Sequence, residues 1–273
     1  MPELPEVETI RAYIQQYISG KRMVQVEVRL ARLVKNASPA EFVNTLTGQS
    51  IQAVQRRGKY LFIRCSGPRS LLVHLRMTGS LIYVPHGHMD IKAAHIIFSL
   101  SEGTLVYRDI RTLGCLWLVP SQGPTGITGY DTLGPDGNSP ECTTAYLKCV
   151  LSSAHRGIKS LLLDQTKIAG LGNIYVDEAL FLARISPFRR CDTLTDDEIV
   201  RLHDAIVHVL QEGLKYGGTT IRNFVNGSGQ EGQNQAHLAV YGRQGLPCVC
   251  CGRPIQYKKL AGRGTHYCPY CQQ

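Results

Sequence analysis

No stretch of these 273 residues is long and apolar enough to span a bilayer, which excludes a helical membrane protein. The first residues, MPELPEVET, are acidic with no apolar run behind them, so they do not read as a secretory leader. No internal repeat is visible, which sets aside solenoids and propellers. Charge is modest at 19%, and acidic residues are the scarcer kind: 21 Asp+Glu stand against 30 Lys+Arg, giving +9 and a pI near 9.1. Such an excess favours a polyanionic partner. The hydrophobic fraction, 43%, is ordinary for a soluble globular chain, and the length predicts division into domains.

Cysteine is plentiful but unevenly placed. Cys65, Cys115, Cys142, Cys149 and Cys191 are scattered singly, as suits buried, inert thiols in a reducing cytoplasm. The other five cluster at the end, where Cys248 and Cys251, then Cys268 and Cys271, form CxxC…CxxC. Two chelating pairs separated by such a loop match the spacing of a zinc site, and four thiolates close a tetrahedral shell with no open position. The spacing therefore predicts one structural zinc. The intervening RPIQYKKLAGRGTHY is basic, so the metal is expected to hold a positive hairpin toward an anion. Two disulfides are the alternative, although a chain this long needs no such staples. Cys250 sits inside the first pair and competes as a ligand.

The pattern along the chain is mixed. Residues 3–19 read as a helix, with Val7, Ile10, Ile14, Tyr17 and Ile18 at helical spacing and Gly20 ending it. From Arg22 to Val119 the pattern is short and strand-like: MVQVEVRL, YLFIRC, LLVHL, SLIYV, HIIFSL, TLVY and CLWLV, divided by turn residues. That predicts a β-sandwich or barrel. A Pro/Gly-rich link follows, Ser139–Pro140 reads as a helix start, and the chain from there is helical. Thr195 and Glu198 form a capping box on the last long helix, which ends at Gly217–Gly218. Residues 226–234, rich in Gly, Asn and Gln, read as a mobile loop. The fold class is α+β.

Removal of Met1 would leave Pro2 with a secondary amine at a helix start, where the positive end of the helix favours the neutral, nucleophilic form. Such an amine can attack an electrophilic carbon and form an iminium, with Glu3 and Glu6 beside it for proton transfer. Taken alone, PELPEVE is only a helix start with a helix-favouring proline. The combination decides: PELPEVET, RRGKY at 56–60, HLRMTG at 74–79, AGLGNIYVDE at 169–178, VYGRQGLPC at 240–248 and AGRGTHYCPYC at 261–271 occur in this order. Over essentially its whole length the chain resembles the bacterial formamidopyrimidine-DNA glycosylases. The resemblance implies a bifunctional glycosylase/AP lyase for oxidised purines, a monomer acting on damaged duplex DNA. It implies a catalytic β-sandwich domain over 1–135, a helical domain with a helix–two-turn–helix element over 136–234, and a zinc finger over 235–273, with DNA in the cleft.

By resemblance, Pro2 attacks C1′, Glu3 is the acid/base, and Glu6 and Glu178 shape the site. Lys59 contacts the phosphates of the lesion and assists catalysis. His74, Asn173 and Arg263 match DNA contacts. Two glycines, Gly170 and Gly172, also permit a tight turn whose following amides can hold a phosphate. Met77, Arg111 and Leu113 match residues that fill the void left by the extruded base, an extrusion that chemistry at C1′ requires. Gly218, Thr219, Thr220, Ile221, Arg222 and Asn223 match a loop that caps the lesion. Four positions depart from the family pattern: Leu113 stands where an aromatic is usual, Ala93 and Ala94 (in KAAHIIF, 92–98) where polar residues are usual, and Asn234 where an aromatic or Met is common. The competing readings are an endonuclease VIII-like enzyme for oxidised pyrimidines and a non-catalytic zinc-finger DNA-binding protein.

Overall fold

A computed structural model describes residues 1–85 and 93–273; Lys92, the first residue of KAAHIIF, lies outside the described residues. The chain forms two compact units. Unit 1 comprises Met1–Thr132 and Tyr216–Gln233; unit 2 comprises Leu133–Lys215 and Asn234–Gln273.

Unit 1 opens with helix α1, Leu4–Ile18, whose Val7, Ile10, Ile14 and Ile18 are buried on one face. Eight strands follow: β1 Met23–Val28, β2 Ile51–Arg57, β3 Tyr60–Cys65, β4 Arg69–His74, β5 Gly79–Val84, β6 Ile96–Leu100, β7 Thr104–Asp109 and β8 Cys115–Pro120. They pair antiparallel in two four-stranded sheets, β1-β6-β7-β5 and β2-β3-β4-β8. One core joins them: Leu81, Phe98 and Tyr107 from the first sheet, Leu61, Val73 and Leu116 from the second, and the apolar face of α1. The second sheet is also covered outside, where Tyr130 of the short helix α3, Thr128–Asp131, meets Tyr60 and Phe62. Burial on both faces explains why YLFIRC reads as an unbroken apolar run.

A helix, α2, Pro39–Leu46, interrupts the region read from sequence as strands throughout. Ser38 caps it by accepting from Glu41 N–H, and Phe42 and Leu46 enter the core. The same Ser–Pro signal misleads at residue 139. Helix α4, Thr144–Ser152, begins later, at Thr143, whose hydroxyl accepts from Tyr146 N–H at 3.1 Å. Ser139 lies instead in a turn closed by its own N–H on Asp136 O at 2.9 Å.

Unit 2 continues with α5 Ile158–Leu162, α6 Asn173–Leu182 and α7 Asp196–Lys215. The box on α7 is present: Thr195 N–H donates to Glu198 Oε2 at 2.8 Å, and Glu198 N–H to Thr195 Oγ1 at 3.3 Å. Strands β9 Gln256–Leu260 and β10 Arg263–Tyr267 form the finger hairpin. Residues 226–230, read as mobile, are a tightly bonded turn. Asn226 Oδ1 accepts from Ser228 N–H, Ser228 Oγ and Gln230 N–H, and Gly227 O accepts from Tyr83 N–H at 2.9 Å. Among the described residues, no helix is long and apolar enough to cross a membrane.

Candidate active site and nucleic-acid interface

The strand register of unit 1 gathers the matched residues at one end of the sandwich. A two-residue hairpin, Gly58–Lys59, joins β2 to β3, with Gly58 at φ +54° in the position where such turns favour glycine. Tyr60 then pairs with His74, and His74 with Cys115. Two crossovers leave this edge for the other sheet, residues 75–78 and residues 110–114. They run side by side, because Gly79 pairs with Asp109 at their far ends. The first carries Met77, 40% exposed; the second carries Arg111 and Leu113, the latter 46% exposed. Ile110 beside them is 76% exposed and had not been singled out from sequence.

Pro2 is buried, as are Glu3 and Glu6. Glu3 caps α1 in extended backbone, and a reciprocal box ties it to Glu6, whose Oε2 accepts from Glu3 N–H at 2.7 Å. The other oxygen of Glu6 accepts from Thr219 N–H at 2.7 Å. One carboxylate thus joins the helix start to the segment matched as the lesion cap. Gly218, at φ +88°, fits against Glu6 and Phe224 so closely that a Cβ would stand 2.9 Å from Phe224 Cε1. Thr219 and Thr220 are buried, and Ile221, Arg222 and Asn223 are exposed. Thr220 Oγ1 donates to Phe224 O and accepts from Gly232 N–H, both at 2.9 Å.

Burial lowers the pKa of the terminal amine, which sits on Met1; Glu3 and then Glu6 oppose the shift, and Lys59 and Arg111 reinforce it. Lys59 is itself buried. Burial also pushes the His74 imidazole down to about 3, aided by Arg76 and Lys59. His74 Nδ1 accepts from Arg76 N–H at 3.0 Å, so the neutral ring carries its proton on Nε2, ready to donate.

Unit 2 holds the other matched residues. Glu178 is buried on α6, and its carboxylate accepts three successive amides: Ala239 N–H at 2.8 Å, Val240 N–H at 2.9 Å and Tyr241 N–H at 2.7 Å. Burial raises its pKa against those three bonds. Asn173, first residue of α6 after the Gly172 cap, donates through Nδ2 to Gly264 O at 2.8 Å. Arg263 is exposed beside the Ala261–Gly262 turn of the hairpin. Sequence reasoning missed the pair that seats this hairpin. Lys159 Nζ, 1% exposed, bonds Asp177 Oδ1 at 2.6 Å, Gly264 O at 2.9 Å and Thr265 Oγ1 at 2.9 Å, and Asp177 Oδ2 accepts from His266 N–H at 2.9 Å. A lysine in the apolar IKSLL segment was the available signal, since a buried charge demands a partner. Asn234, one of the departures, is buried.

Four thiolates around zinc at about 2.3 Å stand about 3.8 Å apart. Cys248 and Cys271 Sγ are 3.8 Å apart, Cys251 and Cys268 Sγ 3.6 Å, and all four lie within 4.8 Å of one another. The set fits one structural zinc, far from the spacing of disulfide sulfurs. Cys250 stands outside it and gives its N–H to Cys248 Sγ at 3.4 Å. Of the scattered cysteines, Cys149 is exposed, against the expectation of burial; the other four are buried.

A β-sandwich with a buried amine-bearing helix start, followed by helices and a four-cysteine hairpin, defines a two-unit zinc-finger protein. Family models match residues 1–116 as "Formamidopyrimidine-DNA glycosylase N-terminal domain", 133–225 as its H2TH domain and 245–273 as "Zinc finger found in FPG and IleRS". A formamidopyrimidine-DNA glycosylase of Pelotomaculum thermopropionicum is 47% identical, covering 100% of this chain and 99% of the relative. One of Listeria innocua is 41% identical, covering 100% of both. Among solved structures, a Lactococcus lactis FPG mutant with Fapy-dG containing DNA matches at TM-score 0.91 and 37% identity, covering 100% of both chains. A MutM complex with carbocyclic 8-oxo-G containing DNA matches at 0.91 and 38%, again covering 100% of both. The chain belongs to the formamidopyrimidine-DNA glycosylase family.

Proposed function

We propose that the chain is a base-excision DNA glycosylase that removes oxidised purines, 8-oxoguanine and formamidopyrimidines, from duplex DNA and then cuts the strand as an AP lyase. The glycosylase reading rests on the family and on relatives solved with such lesions in DNA. The lyase reading rests on Pro2, buried at the start of α1 beside the buried carboxylates Glu3 and Glu6. Once Met1 is removed, the Pro2 nitrogen attacks C1′ with its lone pair. The glycosidic bond breaks and the base leaves with the electron pair of that bond. The Pro2 nitrogen gives up its N–H proton, Glu3 gives a proton to the ring oxygen, the C1′–O bond breaks so that the sugar ring opens, and C1′ and the Pro2 nitrogen form an iminium. Loss of a C2′ proton expels the 3′ phosphate, and a second elimination expels the 5′ phosphate.

Lys59 in unit 1, and Asn173 and Arg263 in unit 2, are the proposed phosphate contacts, with His74 a further DNA contact; Asn173 also holds the hairpin through Gly264 O. Met77, Arg111 and Leu113 fill the vacated stack, and amides of residues 218–223 cap the base. Glu6 supports the site through Thr219, and Glu178 through residues 239–241. The zinc supplies no reaction step; Cys248, Cys251, Cys268 and Cys271 use it to fix the hairpin that bears Arg263. We place the protein as a monomer in the bacterial cytoplasm, with the functional division at 1–135, 136–234 and 235–273. The test is borohydride trapping on duplex 8-oxoguanine DNA with protein whose mass shows Pro2 first. A covalent adduct is expected, and Glu3→Gln should slow base release about 10²- to 10⁴-fold. Strand cutting by mature protein without a trappable adduct refutes the amine mechanism. Faster release of oxidised pyrimidines than of 8-oxoguanine favours the endonuclease VIII-like reading.

A further inference from the structure

The two crossovers at the end of the sandwich share an internal clasp that the matched motifs do not assign. Asp109, 1% exposed, ends β7 directly opposite Gly79, which begins β5. Its Oδ1 accepts from Thr78 Oγ1, the residue after Met77, and from Arg111 N–H at 3.2 Å. Its Oδ2 accepts from Gly114 N–H at 2.7 Å, just after Leu113. Thr78 Oγ1 accepts in turn from Arg111 N–H at 3.0 Å. The backbone of Asp109 is held as well: its carbonyl meets His95 Nε2 at 2.9 Å and accepts from Thr112 N–H at 3.0 Å. A single buried carboxylate therefore bonds both loops on either side of the three void-filling side chains.

Two further observations say that these loops are set before any DNA arrives. Non-glycine residues with positive φ are few among the described residues, and two of them flank the wedges: Arg76 at +55°, just before Met77, and Thr112 at +51°, between Arg111 and Leu113. Such backbone persists only where its surroundings over-determine it. Here the surroundings are close. The Tyr107 hydroxyl is packed so tightly between the loops that a Cβ on Gly114 would fall 1.6 Å from it, and one on Gly79 2.7 Å from it. The Arg32 guanidinium bonds Thr112 Oγ1 from outside.

We propose that Asp109 is a positioning residue for base extrusion: through Thr78, Arg111 and Gly114 it locks the two crossovers together and presents Met77, Arg111 and Leu113 as one preformed wedge. The proposal rests on the reading that these three side chains enter the duplex. Preorganisation of this kind removes the ordering cost at the moment of insertion, so its loss should appear in the opening step and leave the amine chemistry untouched.

The experiment uses Asp109→Asn, which keeps shape but sets an NH₂ or a weaker acceptor against Gly114 N–H, and Thr78→Val, which removes only the hydroxyl link. Full-length variants are mixed with duplex carrying 8-oxoguanine beside 2-aminopurine, whose fluorescence reports unstacking. Base release is followed in single turnover. Borohydride trapping on a single-stranded abasic oligonucleotide, which needs no wedge, reports the chemistry. Asp109→Asn should slow unstacking and duplex base release together by about 10- to 100-fold, the loss of a charge-assisted bond, with trapping on single strands unchanged. Thr78→Val should slow the same two signals less, and carries the test alone if Asp109→Asn lowers the folded fraction. Met77→Ala is the reference. Wild-type unstacking in Met77→Ala overturns the wedge reading and this proposal with it. Slow Met77→Ala beside wild-type rates in both clasp variants overturns the clasp alone, as does an equal loss in single-strand trapping.

Discussion

Glu6 and Glu178 are both buried helix carboxylates, and both spend their oxygens on backbone amides, yet they serve different ends. Glu6 bridges the first turn of α1 and the Thr219 amide, so in unit 1 a single group fixes the neighbourhood of the proposed nucleophile and the loop proposed to read the lesion. Glu178 collects three consecutive amides at residues 239–241, and so in unit 2 it anchors the stretch leading into the four-cysteine finger. The same side chain in the same kind of burial supports the proposed chemistry in one unit and the proposed grip in the other. What differs is the segment that each carboxylate orders.

Breaking the metal site gives the largest effect expected on the side of grip. Cys268→Ser should release the zinc and remove duplex binding, because a structural zinc contributes on the order of 10 kcal/mol or more to ordering its ligands. Trapping on single-stranded abasic DNA, the chemistry proposed for unit 1, should survive. Cys250→Ser should keep the metal. Elemental analysis together with binding measurements decides; zinc retained in Cys248→Ser and lost from Cys250→Ser would reassign the ligands.

The carboxylates themselves come next. A glutamine in either place must turn an NH₂ or a weaker acceptor toward an amide, costing about 1–3 kcal/mol. Glu178→Gln, facing three donors, should lower the melting temperature more than Glu6→Gln and weaken plain and lesion DNA alike. Glu6→Gln should reduce discrimination between 8-oxoguanine and guanine while leaving plain-duplex affinity alone. The reverse assignment, with Glu178→Gln changing lesion choice, would dissolve the comparison.

The smallest effect is also the sharpest contrast, because the two units titrate in opposite senses. His74 is depressed to about 3, so the stability that it gives unit 1 is complete above its ordinary value of about 6.5 and falls as the pH drops from there toward 3. Glu178 is raised by burial, so its contribution to unit 2 is complete below the ordinary 4.5 and is lost as the pH rises through its higher folded value. Hydrogen exchange followed from pH 7 to 5 should show amides near His74 losing protection, and His74→Gln should flatten that loss. Amides at 239–241 should not follow the same slope.

Much of the architecture could be read from local pattern. The strands of unit 1 alternate or run apolar between turn residues, and α1 and α7 carry both periodicity and caps. The failures share a cause. Ser38–Pro39 opens a helix and Ser139–Pro140 does not, although the dipeptide is the same. Only the first has an apolar residue, Phe42, four positions after the serine for the core to accept; at the same offset after Ser139 stands Thr143. Strand β2 escaped because a register shift at Ile51/Ala53 breaks its alternation. The zinc ligands were legible because the chemistry fixes their spacing. Lys159 with Asp177, and Asp109 with Thr78 and Gly114, were not, because their meaning lies in partners brought near by the tertiary fold.

Unit 1 is discontinuous: Tyr216–Gln233 returns to it after the helices of unit 2. On the ribosome this has a temporal meaning. The strands of the sandwich emerge early, yet Thr219 for Glu6, Phe224 for the core, and Gly227 for the Tyr83 amide are made only after residue 215. The nascent unit 1 must wait, with part of its edge uncovered, for a segment encoded far downstream. A polypeptide interrupted between residues 133 and 215 would have every strand of the sandwich and the whole of α1, but none of the amides proposed to inspect a base. Translation itself thus supplies an order of assembly in which the proposed discrimination is the last faculty that unit 1 acquires.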